Sequence, residues 1–320
     1  DMYLSVLTMV ALLEEGRVEP GAANEARAFG TRTNVLRDRY NQQVKALAEK
    51  DPRLAQAGWK AETGGAFVES PLGAYLASLT FMANGQPDAQ KIAADHLLDA
   101  IRQQQDKIGP VREQDFADLA KKTRADTNVV VVAFAGRGPT KKAFRLPPIV
   151  IDKVTFYAEI PVLVSTPSRV ASAEAEFEGG PTVPLALAED MSAVAKENYD
   201  RALPLIQGRA IARAAARAVG AYFITETVDK STRRKSDVAR WGTELALLAA
   251  QILVERADVR AWAMMPGRAF VATAKLPAGE RKYRVVYKGA GGGVVYTSGW
   301  RTVNVSEGSP LVAAVAHSWD

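Results

Sequence analysis

Gly136-Arg137-Gly138-Pro139-Thr140-Lys141 is the stretch that most invites chemistry, because two glycines and a lysine follow an apolar run, VVVVAFA. A loop of this kind can cradle phosphate when its backbone amides close on the anion and a helix N-terminus follows. The spacing departs from the phosphate-loop pattern Gly-x-x-x-x-Gly-Lys-Ser/Thr. It departs equally from the dinucleotide pattern Gly-x-Gly-x-x-Gly, whose third glycine position is held by Lys141. Pro147-Pro148 come six residues after Lys141, too soon for a helix to start and run. Gly136, Gly138 and Pro139 are therefore expected to be structural. They would form a turn between two strands, with positive φ at the glycines and the proline fixing the return.

The other reactive side chains do not assemble into a known constellation. The two histidines, His96 and His317, lie far apart in sequence, which argues against paired metal ligation. His96 neighbours Asp95 in an alanine-rich helical stretch and reads as a surface pair. Ser165, Ser168 and Ser172 have no nearby histidine and no nucleophile-elbow spacing. Glu189-Asp190 fits a helix N-terminus, where negative charge is favourable, and Glu174-x-Glu176 fits the wet face of a strand. No catalytic residue, metal ligand or cofactor is expected from these patterns.

Two kinds of element must position these residues. The front of the chain is helical. MYLSVLTMVALLEEG stops at Gly16, and a second helix former follows Pro20. PLGAYLASLTFMANG and QPDAQKIAADHLLDAIRQQQ repeat the same style. Ala11, Ala26, Ala74, Ala77 and Ala89 allow close helix approach, so residues 1–125 are expected to form a domain of two tetratricopeptide-like helix pairs. The first helix of each pair, 2 to 15 and 71 to 84, would line a concave face. Tyr3, Leu7, Tyr75, Leu79 and Phe81 are the expected partner-binding groups on it.

From Thr127 the pattern turns to strands. NVVVVAFAG, KKAFRLP, KVTFYAEIPVLV and RVASAEAEFEG are followed by long helices from about residue 188. Residues 126–256 are expected to be an α+β domain with an antiparallel or mixed sheet. Residues 257–320 form a terminal β region packed on it, with turns at Pro277-Ala278-Gly279 and Gly289–Gly293. The fold class is thus α+β. Asp258, Arg260 and Trp262 alternate between the last helix and the terminal sheet. They are expected to lock the fold through an ion pair and cation–π stacking.

Composition limits the partners. The chain has 320 residues, enough for more than one core, and its 48% hydrophobic and 24% charged residues are those of a globular protein. Its 41 Lys and Arg against 36 Asp and Glu are interleaved, so nucleic acid is not an expected partner. The absence of cysteine excludes a thiol nucleophile, a disulfide and a thiolate metal site. The opening residues read as a helix rather than a signal peptide, and no run is long and apolar enough to span a bilayer.

Four stretches, in order, carry a resemblance. They are SPLGAYLASLTFMANGQPDAQKIAADHL, VVVVAFAGRGPTKKAFRLP, LAEDMSAVAKENYDRALPLIQGRAIARAAARAV and RADVRAWAMMPGRAFVATAKLPAGERKYRV. Their order resembles an uncharacterised family of bacterial envelope lipoproteins. These have a tetratricopeptide-like front half and often accompany lipoproteins of the penicillin-binding-protein-activator type. Val259 stands where the family pattern has threonine. The resemblance implies export to the periplasm, an outer-membrane association through a lipid anchor upstream of Asp1, and partners among other envelope proteins or further copies of the chain. It implies an adaptor or assembly role, and with no catalytic constellation in the sequence the expectation is a non-enzymatic scaffold or adaptor. The alternatives are a regulator docking on a peptidoglycan or polysaccharide synthesis machine, or a cell-wall glycan hydrolase.

Overall fold

The computed structural model describes residues 2–50, 68–108, 111–151, 154–232 and 264–320. Asp258, Arg260 and Trp262 lie outside the described residues. The chain is α+β, and its centre is strand β1 (Val129–Arg137). Both faces of β1 are buried, which is why it reads as an unbroken apolar run. Val129, Val131, Ala133 and Ala135 enter one core, and Val130, Val132 and Phe134 enter another.

The strands after β1 sort into one large sheet and two small ones. β2 (Thr140–Arg145) pairs with β5 (Glu159–Val164), and β3 (Ile149–Ile151) pairs with β4 (Val154–Phe156). The large sheet adds β6 (Ser172–Phe177), β7 (Thr182–Asp190), β8 (Pro266–Ala274), β9 (Gly279–Lys288), β10 (Val294–Thr297), β11 (Arg301–Val305) and β12 (Val312–Ser318). Its order is β10-β9-β6-β7-β8-β1-β12, with β11 also on β9. β1 and β12 run parallel, Val129 opposite Val312, while β1 and β8 run antiparallel, Val129 opposite Ala274. The sheet is therefore mixed.

The sheet curls until its two ends meet. Tyr283 Oη on β9 donates to Val315 O on β12 at 2.8 Å, and Arg301 Nη1 on β11 donates to the same carbonyl at 3.3 Å. A tightly curled sheet leaves little room inside, and small side chains fill much of it. Ala133, Ala135, Ala173, Ala175, Ala314 and Ala316 share this interior with Phe270, Tyr283 and Tyr287.

The outer face of the sheet is covered by helices. α1 (Met2–Glu14) and α3 (Pro71–Ala83) pack there, with α2 (Ala23–Lys50) and α4 (Pro87–Ile108) packed mainly on them. Ser70 caps α3, its Oγ accepting from Gly73 N at 3.1 Å, and Pro71 occupies the first turn, where a missing N–H costs nothing. Gly85, at φ +71, ends the turn after α3. All 13 residues of α3 are buried, because α1, α2, α4 and the sheet surround it. The approach of α2 depends on Gly73, where an added Cβ would lie 2.4 Å from Phe29 Cζ.

The packing runs across the expected domain boundaries. Val6, Leu13 and Leu76 share one continuous core with Val130, Val132, Val271 and Ala313, so no boundary near residue 125 separates independent cores. The boundary near 257 is crossed by the ladders that β8 makes with β1 and β7. A smaller core lies apart, where Ile160 and Ala158 meet Ala210, Ile211 and Ala214 of α5 (Met191–Thr232). Pro204 lies inside α5 without ending it.

Candidate functional site

Glu189 is the most unusual side chain among the described residues, a carboxylate with 0% exposure. A bulge between Leu187 and Glu189 shifts the β7–β8 register, and bulges re-aim side chains. Glu189 thereby meets the N-terminus of α3. Its Oε2 accepts from Leu72 N at 3.0 Å and from the Ser70 hydroxyl in a short hydrogen bond. Its Oε1 accepts from Tyr3 Oη at 2.6 Å. Burial raises the Glu189 pKa to about 7 against the lowering pull of these hydrogen bonds, and the neighbouring Asp190 charge adds to the rise. The Tyr3 hydroxyl is pushed well up by burial and then by the Glu189 charge, so it stays a donor.

The adjoining residues secure the same junction. Asp190 Oδ1 accepts from Ala193 N at 3.0 Å, at the start of α5, and its Oδ2 accepts from Arg268 Nε at 3.0 Å. Asn198 bonds both backbone groups of Val68, at 2.8 and 3.0 Å. The carboxylate pair thus serves two helix N-termini, α3 through Glu189 and α5 through Asp190. One helix N-terminus is legible in the sequence. The α3 partner, more than a hundred residues away in sequence, is not.

A second polar cluster joins β1, the segment before β6 and the end of β12. Ser168 Oγ donates to the Asp320 carboxylate at 3.1 Å and accepts from Val170 N at 3.1 Å. Arg169 N donates to Asp320 Oδ2 at 2.6 Å. His317 Nε2 donates to Gly136 O at 3.3 Å, and its ring stacks on Trp319 with centroids 3.6 Å apart. Burial lowers the His317 pKa and favours the neutral ring. Serine, histidine and aspartate are therefore close, but the serine is engaged by Asp320 and the histidine by a carbonyl. That is not the relay a nucleophilic serine needs.

The expected turn at Gly136, Gly138 and Pro139 is where β1 leaves for β2, but those strands join different sheets. Gly136 has φ +65, and a Cβ there would lie 2.8 Å from Ser168 Cβ. Gly138 is not at positive φ. It is small because Met265 Cγ would lie 2.9 Å from its Cβ, and its N–H donates to Met265 O at 2.6 Å. β2 rather than a helix follows the turn, and the start of α5 nearby meets a carbonyl, Ser192 Oγ donating to Arg137 O at 3.4 Å.

The expected partner face is corrected. Tyr75 (4% exposed), Leu79 (0%) and Phe81 (8%) are core, while Leu7 and Tyr3 are partly buried against it. The sheet has filled the side of α1 and α3 that was expected to be open. His96 pairs with Glu69 through Nδ1 at 3.1 Å on the surface. Glu174 and Glu176 do form a strand's wet face, paired with Lys288 at 2.7 Å and Arg284 at 2.6 Å. Among the described residues no group of three or more His, Asp or Glu side chains could hold a metal, and no helix is long and apolar enough to cross a membrane.

Two exposed aromatic side chains lie at the β2–β5 pair, Phe144 on β2 and Tyr157 just before β5. Phe144 is 51% exposed and Tyr157 is 50% exposed. Arg145 lies over the Tyr157 ring at 5.9 Å, and Lys141 and Lys142 share its strand. Neither β2 nor β5 has a second partner strand among the described residues, and α5 packs on β5, where Tyr199 Oη donates to Pro161 O. The alternation in KKAFRLP fixes the strand. Nothing in it tells that the strand leaves the main sheet. No known protein family, curated protein or solved structure matches the chain.

Proposed function

We propose that this protein is a non-enzymatic scaffold or adaptor of the bacterial cell envelope, held at the outer membrane by a lipid anchor upstream of Asp1. The observation that carries the reading is the β2–β5 arm, which presents Phe144, Tyr157 and a basic strand outside the main core. Aromatic and arginine side chains are the usual anchors of protein interfaces. The side chains best suited to chemistry, Glu189, Ser168 and His317, are spent on bonds that hold elements together. In this reading α1–α2 and α3–α4 are degenerate tetratricopeptide-like pairs whose inner side packs on the sheet, and the arm takes over partner binding. The partner surface it fits is acidic at its rim and apolar at its centre.

The test is co-purification of the full-length, membrane-attached protein from envelope extracts, for the parent and for Phe144→Glu and Tyr157→Glu. Loss of a stoichiometric envelope partner with an unchanged melting temperature is the expected result. Retention of every partner in both variants overturns the arm as the binding surface. Glycan turnover by the isolated chain overturns the non-enzymatic reading. A co-purified synthase whose rate changes makes the protein its regulator.

A further inference from the structure

A cleft of about 330 Å³ opens on the outer face of the sheet, away from the β2–β5 arm. Its origin is a fork in the sheet. β7 and β8 are paired from Ala186–Val271 to Asp190–Arg268, and the ladder does not continue into Pro184 and Thr273. Pro184 has no N–H to offer a neighbouring strand, so the sequence itself weakens the ladder there. The turns Glu113–Phe116 and Leu119–Lys121 cover the fork and form the other wall. The volume is at the low end of small-molecule sites, which run from about 300 Å³.

The lining is part apolar and part polar. Phe116, Leu119 and Val271 are buried, and Phe116 meets the Tyr75 ring edge-on at 5.7 Å. Tyr75 is 4% exposed and lines the cleft, yet its hydroxyl bonds to no other described residue. The hydroxyl oxygen is not fully enclosed, so its donor is open to a molecule in the cleft. Two acids edge the cleft, but each is already paired, Asp115 with Arg112 Nε at 3.0 Å and Asp118 with Lys121 Nζ at 3.1 Å. Half-buried Lys122 also lines it and makes no ion pair among the described residues. Asp126, whose carboxylate is held by Thr123, lies within reach of its charge. Lys122 is the lining charge without an ion pair among the described residues.

We propose that this cleft binds a small monocarboxylate with an apolar body, its carboxylate taken by Lys122 and the Tyr75 hydroxyl and its body lying against Phe116, Leu119 and Val271. The tyrosine supplies a neutral donor, the lysine a charge, and the fork the depth. The site does not depend on the β2–β5 arm, so the adaptor reading and this one stand or fall separately.

The experiment titrates the full chain with phenylacetate, and with benzylamine and benzyl alcohol as matched probes, by calorimetry and by chemical-shift perturbation at Ala272 and Thr273. Saturable phenylacetate binding with shifts at both residues, and benzylamine at least tenfold weaker, is expected. Tyr75→Phe and Lys122→Met each weaken phenylacetate by about tenfold, the loss for a hydrogen bond to a charged group. Benzylamine binding as well as phenylacetate overturns the proposal. So does an absence of saturation at millimolar phenylacetate, or unchanged affinity in both variants. If Tyr75→Phe fails to fold, Lys122→Met, which alters a side chain outside the core, decides the matter alone.

Discussion

Tyr3 Oη donates to Glu189 Oε1 at 2.6 Å across 186 residues of sequence, tying the first helix to the end of β7. The same carboxylate takes the N-terminus of α3 through Leu72 N. Three elements that meet at one buried anion cannot shift independently. Removing one donor leaves a charged acceptor short in a dry site. Tyr3→Phe is expected to destabilise the fold by about 2 kcal/mol, the range for a hydrogen bond to a charged group. Urea denaturation checks it, and a loss under about 0.5 kcal/mol, the usual bound for surface substitutions, would show that the bond contributes little.

The raised Glu189 pKa gives stability a pH dependence of definite sign. Its folded value of about 7 lies above the ordinary 4.5, so between these pH values the folded state binds more protons than the unfolded. Stability from this group is full below about pH 4.5, falls as pH rises, and is flat above about pH 7. The whole effect is at most about 3 kcal/mol. Melting temperatures of the parent are expected to fall from pH 5 to pH 8, and Glu189→Gln is expected to remove part of that fall. An identical fall in the variant would assign the dependence to other groups.

Gly136 and Gly138 are expected to resist substitution for different reasons. Gly136→Ala strains a backbone at φ +65 and crowds Ser168, whereas Gly138→Ala crowds Met265 alone. Each is expected to cost about 1 kcal/mol or more. Shortening the neighbour, as Met265→Ala, is expected to recover part of the loss at Gly138 and none at Gly136. Calorimetry with a nucleoside triphosphate is expected to show no binding in any of these proteins. Micromolar affinity in the parent would reverse the structural reading of this turn.

Gly73 sits where α2 crosses α3. An added methyl meets the Phe29 ring at 2.4 Å, and Phe29 is 2% exposed with little room to retreat. Gly73→Ala is expected to destabilise by about 1–3 kcal/mol despite the better helix propensity of alanine. Combining it with Phe29→Leu is expected to be less costly than the sum of the two single changes. Additive losses in a double-mutant cycle would show that the two residues do not compete for space.

Local sequence chemistry determined much of this protein. Valine after valine in β1 specified a strand buried on both faces, and Ser70-Pro71 specified where α3 begins. Ala173, Ala175 and Phe177 alternating with Glu174 and Glu176 specified both faces of β6. The departure of Gly136-Arg137-Gly138 from the phosphate-loop pattern was legible from glycine spacing alone. These features depend on residues within a few positions of one another.

Tertiary structure decided the rest. Tyr75, Leu79 and Phe81 read as a groove because a helix presents apolar side chains in the same way to a ligand and to a sheet. Only the curled sheet settles that they are core. Glu189 read as the start of the next helix, and nothing within ten residues of it reveals Tyr3 or Ser70. The fork beside Pro184 depends on where β8 arrives from the far end of the chain. Side-chain periodicity fixes which face of an element is apolar. What covers that face is set by which distant elements pair, and pairing is a property of the whole chain.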